Sequence, residues 1–169
     1  YSGYNKVPGI TRCLCWTHLR RYFVEALPKD IDSPEATLPA KGIDFCNRLF
    51  AEEKLIEKLT PDERKTERLE TEKPILDAFW SWINSIKDSC LPKSKLGKAI
   101  NYALGNKKGF MNYLLDGNCA ISNNLSENSI RPFTIGRKNW LFSGSPRGAE
   151  ASAADYSIIE TAKANGLEP

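Results

Sequence analysis

A chain of 169 residues can form one compact domain with a real core, or a core with a modest subdomain. Hydrophobic residues at 41% and charged residues at 27% are the proportions of an ordinary globular protein, and no apolar run approaches the roughly 20 residues that cross a bilayer, so a transmembrane helix is excluded. The net charge of +3 is too small to identify a partner, and the five cysteines, odd in number and scattered, fit free thiols in a reducing cytosol better than a disulfide framework. The chain starts at Tyr1 with neither an initiator Met nor a signal-peptide pattern, and it reads as a piece of a longer protein.

In chain order, residues 10–16 alternate enough to predict a short strand, and a helix is expected from Thr17 to Leu27, where Leu19, Tyr22, Phe23, Ala26 and Leu27 recur at helical spacing before Pro28. Residues 28–40, with Pro28, Pro34 and Pro39, read as a connector. Phe45, Leu49, Ile56 and Leu59 then form one helical stripe, and Pro61 stands where a new helix can start. The charged run 62–73 has few apolar anchors and is expected to be an exposed helix or a mobile link. Ile75, Leu76, Phe79, Trp80, Ile83 and Ile86 make an apolar face, followed by Leu96, Ile100, Ala103 and Leu104 on a second, and Phe110, Tyr113 and Leu114 on a third. After Gly117 a helix is expected to start at Asn124 as N-cap, with Glu127 three residues on, and to stop near Pro132 or Gly136. Residues 140–142 suggest a short strand or a turn, and an Ala-rich helix runs from about Gly148 to Asn165-Gly166.

Charge is unevenly spread along these elements. Residues 1–24 carry Lys6, Arg12, Arg20 and Arg21 without an acid, and residues 87–113 carry six Lys against one Asp. Residues 123–148 carry Arg131, Arg137, Lys138 and Arg147 against Glu127 alone. Residues 52–73 hold eight acids and six bases. This pattern fits a phosphate-facing side and a solvated side; Lys-rich faces that only keep the protein soluble are the plainer alternative.

The densest text is residues 122–148, with Asn123, Asn124 and Glu127 running into Arg131-Pro132 and then Gly136-Arg137-Lys138-Asn139-Trp140. Near the start, Tyr1-Ser2-Gly3-Tyr4 is followed by Cys15-Trp16-x-His18-x-x-Arg21. Both stretches resemble the insertion-sequence-66 family of transposases, and the likeness continues through Glu150, Ala151 and Ala154 to residues 160–163. It implies an α/β, predominantly helical chain: a partial ribonuclease-H-like core built from residues 1–27 and 118–169, interrupted by a helical insertion with connectors over 28–117. It further implies Asp-Asp-Glu chemistry, in which Mg²⁺ or Mn²⁺ is held by hard carboxylate oxygens for in-line phosphoryl transfer. Glu127 is the implied third carboxylate and metal ligand. Both Asp residues would lie upstream of residue 1, so this chain alone is expected to hold no cation tightly and to cleave nothing.

The resemblance makes double-stranded DNA at the ends of an insertion sequence the partner, in a bacterial, cytoplasmic, nucleoid-associated protein without membrane contact, and leaves open a homo-oligomer of the full-length protein. Arg131, Arg137, Lys138, Arg147, His18 and Arg21 are the candidate DNA contacts, since guanidinium forks and ammonium groups match phosphate oxygens. Each has a plainer reading. Glu127 can serve only as a helix cap, His18 can be a satisfied core histidine, and the basic residues can be surface solubility. Trp140 reads more readily as core than as a stacking platform. Cys13, Cys15 and His18 lack the second ligand pair of a zinc site. The rival function is a non-catalytic DNA-binding or assembly fragment derived from a transposase; a helical protein-interaction module over 41–115 is a third.

Overall fold

The computed structural model describes residues 7–30, 33–140 and 143–169, without the side chains of residues 137–140. The chain forms two compact units, Tyr1–Ser122 and Asn123–Pro169. Among the described residues eight α-helices follow one another: α1 Trp16–Ala26, α2 Leu38–Leu55, α3 Pro61–Glu67, α4 Lys73–Ile86, α5 Lys95–Gly105, α6 Lys107–Met111, α7 Asn124–Trp140 and α8 Pro146–Ala164.

The first unit is built around an aromatic centre. Phe79 of α4 meets the rings of Trp16 at 5.3 Å, Phe45 at 5.6 Å and Trp80 at 4.9 Å, each in an edge-on geometry that sets the positive rim of one ring against the negative face of the other. Trp16, Leu19 and Phe23, at helical spacing on α1, bury one face of that helix against α2 and α5. Gly42 of α2 makes the close approach possible, because a Cβ there would stand 2.5–2.7 Å from the Phe23 ring. The Trp16 indole N–H, which cannot be buried unpaired, donates to the Phe110 carbonyl at 3.1 Å. Of the expected apolar stripes, Phe45 and Leu49, Ile75, Leu76, Phe79, Trp80 and Ile83, Ile100 and Ala103, and Phe110, Tyr113 and Leu114 are in this core; Ile86, Leu96 and Leu104 are half-buried against it, and Ile56 and Leu59 lie outside it.

Local signals set several boundaries. Thr60 and Glu63 form a reciprocal capping box with Pro61 at the start of α3. The expected connector over 28–40 ends sooner, because Thr37 accepts from Ala40 N and caps α2 with Pro39 inside its first turn. At the far end, Asn165 follows α8, and Gly166 takes the left-handed conformation, φ +72°, as the sequence predicts.

The expected α/β character is corrected in one respect: the described residues contain no strand. Residues 10–15 are not part of a ladder because the backbone groups of this segment go to helix ends and a loop. Leu14 N donates to Gly109 O at 2.9 Å, Trp16 N donates to Ile121 O at 3.1 Å, and Asn112 Nδ2 donates to Arg12 O at 2.8 Å. The expectation of a strand or turn over 140–142 falls largely outside the description: Trp140 ends α7, and residues 141–142 are not among the described residues.

Residues 62–73 are helical and at least partly exposed, as one of the two expectations has it, with a correction at Arg68 and Glu72. Between α3 and α4 the helix widens into a π-helical turn, Arg68–Glu72, and both of its terminal residues are fully buried. Arg68 places all five N–H groups. Nε and Nη2 grip the Glu53 carboxylate at 2.6 and 3.0 Å, Nη1 donates to the carbonyls of Tyr113 and Asp116, and Nη2 also reaches that of Cys119. Glu72 accepts from the Tyr113 hydroxyl through one oxygen, while the other has no hydrogen-bond partner. Arg68 is already neutralised by Glu53 and has no donor left for a second carboxylate. Burial, with Glu53 nearby, therefore pushes Glu72 from an ordinary 4.5 up to about 8, against the opposing Tyr113 bond.

In the second unit, α7 and α8 touch through an edge-on contact of Phe133 with Tyr156 at 5.3 Å. No described side chain in residues 123–169 is buried.

Two outcomes are expected. Between pH 4.5 and 8 the unfolded chain releases a proton that folded Glu72 keeps, so unfolding free energy should fall as pH rises through that window, by on the order of 5 kcal/mol. Denaturant melts across that range should show the fall, and Glu72→Gln should flatten it. Arg68→Ala should cost about 3–5 kcal/mol, since it strands Glu53 and three carbonyls.

Candidate functional site

The candidate site is built on the first turn of α7. This helix begins at Asn124, one residue earlier than a cap at that position would give. Glu127 N donates to Asn123 O at 2.9 Å, and the Asn123 side-chain amide donates to Glu127 Oε1 at 3.0 Å. Helical side chains lean toward the N-terminus, which aims the Glu127 carboxylate back over Asn123 and into the positive end of the helix dipole. Glu127 is exposed. A carboxylate oriented by an amide and open to solvent is a hard oxygen donor held in one place, and the same geometry also serves a helix start.

Arg131 stands one turn further along, exposed. The expected stop at Pro132 or Gly136 is corrected: α7 runs through both to Trp140. Proline cannot donate to the carbonyl of Asn128, so the turn loses one backbone bond. Side chains add local bonds instead, with Ser129 Oγ donating to Leu125 O at 2.9 Å and Thr134 Oγ1 to Arg131 O at 2.8 Å. Arg137, Lys138 and Trp140 lie on the last turn of α7, and their side chains are outside the described residues, as are Tyr1–Tyr4. Arg147 is exposed near the start of α8, whose cap is Ser145 Oγ accepting from Gly148 N at 3.1 Å.

His18 and Arg21 are on α1, in the first unit, one turn apart; His18 is half-buried and Arg21 exposed. The start of that helix is tied to the residues that lead into the Asn123-Asn124 motif. Thr17 Oγ1 donates to Ser122 Oγ at 3.0 Å, Cys15 Sγ lies 3.7 Å from the same oxygen, and Trp16 N reaches Ile121 O. The fold thus joins the two most informative stretches of the sequence at residues 15–17 and 121–122. Among the described residues no three His, Cys, Asp or Glu side chains group as a metal site, and Cys13 lies against Cys119.

Sequence reasoning did not find the Arg68, Glu72 and Tyr113 network. Both charged residues sit in a run that reads as solvated, and only the π-helical turn points them inward. Nor did any spacing signal connect Cys13 with Cys119.

Residues 1–151 match the Transposase IS66 family. The chain belongs to this family. Three relatives of the IS66 chain come from Sinorhizobium fredii (strain NBRC 101917 / NGR234) and carry only the names uncharacterized protein y4hP, y4jD and y4qI. They are 30%, 30% and 32% identical to it over 97%, 100% and 92% of its length. The chain spans about a third of each relative, 31%, 32% and 28% respectively. No solved structure matches it. Among the described residues no helix is long and apolar enough to cross a membrane.

Pro132→Ala should return the missing donor to α7. Amide hydrogen exchange on the whole chain should show stronger protection over residues 128–136, with stability rising by up to about 3 kcal/mol. Unchanged protection there would mean that the helix is held by something other than its own bonds.

Proposed function

We propose that this chain is the C-terminal part of the catalytic region of an Asp-Asp-Glu transposase, and that Glu127 is its third catalytic carboxylate. The observation that carries this reading is the exposed Glu127 carboxylate, oriented by Asn123 within the Asn-Asn-x-x-Glu run of an IS66 chain. The relatives' greater length leaves room for two further carboxylates outside this chain.

Residues 1–27 and 118–169 then belong to a ribonuclease-H-like core and residues 28–117 to the insertion. Support for the second part comes from the exposure of α7 and α8. Leu125 is 81% exposed and Ile158 68%, an arrangement that helices adopt when their apolar faces pack on something else. Glu127 supplies one hard oxygen donor for Mg²⁺ or Mn²⁺, and Asn123 holds it in position. The cations, when bound, activate the attacking oxygen and stabilise the leaving one. Arg131, Arg137, Lys138 and Arg147 of the second unit contact DNA phosphates, and so, on α1 of the first, do His18 and Arg21. A single carboxylate leaves most of a cation's shell to water, so this chain by itself binds Mg²⁺ weakly and cuts no DNA.

A second reading is a non-catalytic assembly or DNA-binding fragment. What favours it is that the first unit closes a core of its own without the second.

Glu127→Gln in the full-length protein separates the two. It keeps the side chain's size and most of its capping ability while removing the charge, so strand cleavage should fall at least about 100-fold with helix content unchanged. Cleavage at the wild-type rate would reduce Glu127 to a cap. Independently, the logarithm of DNA affinity should fall linearly with the logarithm of salt concentration, and Arg131→Ala should reduce that slope by about 1. A salt-insensitive titration would remove Arg131 from the phosphate contacts.

A further inference from the structure

Two cysteines far apart in sequence lie side by side in the first unit. The sulfurs of Cys13 and Cys119 are 2.9 Å apart, inside ordinary van der Waals contact for two sulfurs and within about 1 Å of the roughly 2.05 Å of a disulfide bond. Neither is fully buried. Their backbones are fixed rather than merely adjacent. Residues 12 and 14, on either side of Cys13, are bonded to Asn112 and Gly109. Cys119 N donates to Asp116 O at 3.0 Å, and its own carbonyl accepts from buried Arg68 at 2.9 Å. The other thiols are placed differently: Cys46 is in the apolar core, and Cys15 points to Ser122.

We propose that Cys13 and Cys119 are a peroxide-oxidisable dithiol that closes to an intrachain disulfide. The Cys119 sulfur attacks one oxygen of hydrogen peroxide, and its thiol proton leaves with the departing hydroxide. The O–O bond breaks, leaving a sulfenic acid on Cys119 and one water. The Cys13 sulfur then attacks the sulfenic sulfur; the S–O bond breaks, the S–S bond forms, and the departing hydroxide takes the Cys13 proton as a second water. Two thiols lose two electrons and peroxide gains two. Burial, reinforced by the contact with Cys119, pushes the Cys13 thiol up to about 12, so its proton leaves only with the departing hydroxide. A small-molecule dithiol reverses the reaction. The bridge ties the segment entering α1 to the loop that leads toward α7, the same two stretches already joined at Thr17 and Ser122. The inference does not depend on any catalytic role of Glu127.

The test uses the whole chain, reduced, desalted and exposed to a few-fold excess of hydrogen peroxide. Two of the five thiols should disappear. Non-reducing peptide mass mapping should show one linked pair, Cys13 with Cys119, lighter by two hydrogens than the reduced peptides. The melting midpoint should rise by roughly 5–15 °C and return on reduction, because the bridge closes a long loop in the unfolded chain. In Cys13→Ser, a dimedone adduct should accumulate on Cys119, whereas Cys15→Ser should leave the bridge intact. Linkage through Cys15 or between chains, sulfinic acid without a bridge, or five thiols still free would each overturn the proposal. Mapping on the unaltered chain decides it even if a serine variant does not fold.

Discussion

A guanidinium out of contact with water must find an acceptor for each of its five N–H groups, and at Arg68 the resulting bonds join three parts of the chain. Glu53 brings α2, the π-helical turn brings Arg68 itself, and the carbonyls of Tyr113, Asp116 and Cys119 bring the loop beyond α6. Because the cost of leaving any of them unpaired in a low-dielectric interior is large, the positions of these segments are mutually constrained. Arg64 repeats the device at the edge, donating to the carbonyls of Glu57, Leu59 and Gly117. Gly117 itself has no room for a side chain, since a Cβ would stand 1.7 Å from the Pro61 carbonyl oxygen. Two arginines and one glycine therefore fix the loop that ends the first unit, the loop from which the Asn123-Asn124 motif departs.

The aromatic centre and the arginine network play different parts. Packing around Phe79 is non-directional and supplies most of the driving force for burying α1, α2, α4 and α5 together. The polar network adds little net free energy, because desolvation offsets its ion pair, but it admits only one arrangement of the segments it joins. Glu72 carries the cost of that arrangement: having one acceptor oxygen bonded and the other bare is tolerable for a neutral carboxyl and poor for a carboxylate.

Residues that act through periodicity were legible in the sequence. The stripes through Phe45, Leu49, Phe79, Ile100 and Phe110 are core, and Pro61 and Gly166 mark boundaries where their backbone preferences say they should. Residues whose role depends on distant partners were not legible. The alternation of residues 10–16 has the form of a strand, but a strand needs a neighbouring strand, and here the available partners were helix ends and loops. Pro132 is a strong local stop signal overridden within α7, at the loss of one backbone bond. Arg68 and Glu72 look like the solvated residues around them until the π-helical turn rotates them inward. At the candidate site, the Asn-Asn-x-x-Glu text located Glu127 at a helix start, and the structure adds the Asn123 amide as the group that orients it.

The bond between Thr17 and Ser122 bears on how a catalytic core can carry a helical insertion of this size. Splicing a flexible segment into a core costs closure entropy that grows with its length, and it leaves the flanking elements free to drift. A segment that folds on itself with its two ends already adjacent avoids both difficulties. Here residues 15–17, at the start of α1, lie against residues 121–122, where a backbone bond and a hydroxyl pair hold the two stretches together. The intervening helices form a closed core, so the flanks meet a fixed staple rather than a loose loop. The arginine network of the first unit belongs to this staple, because it fixes the loop that leads to Ser122.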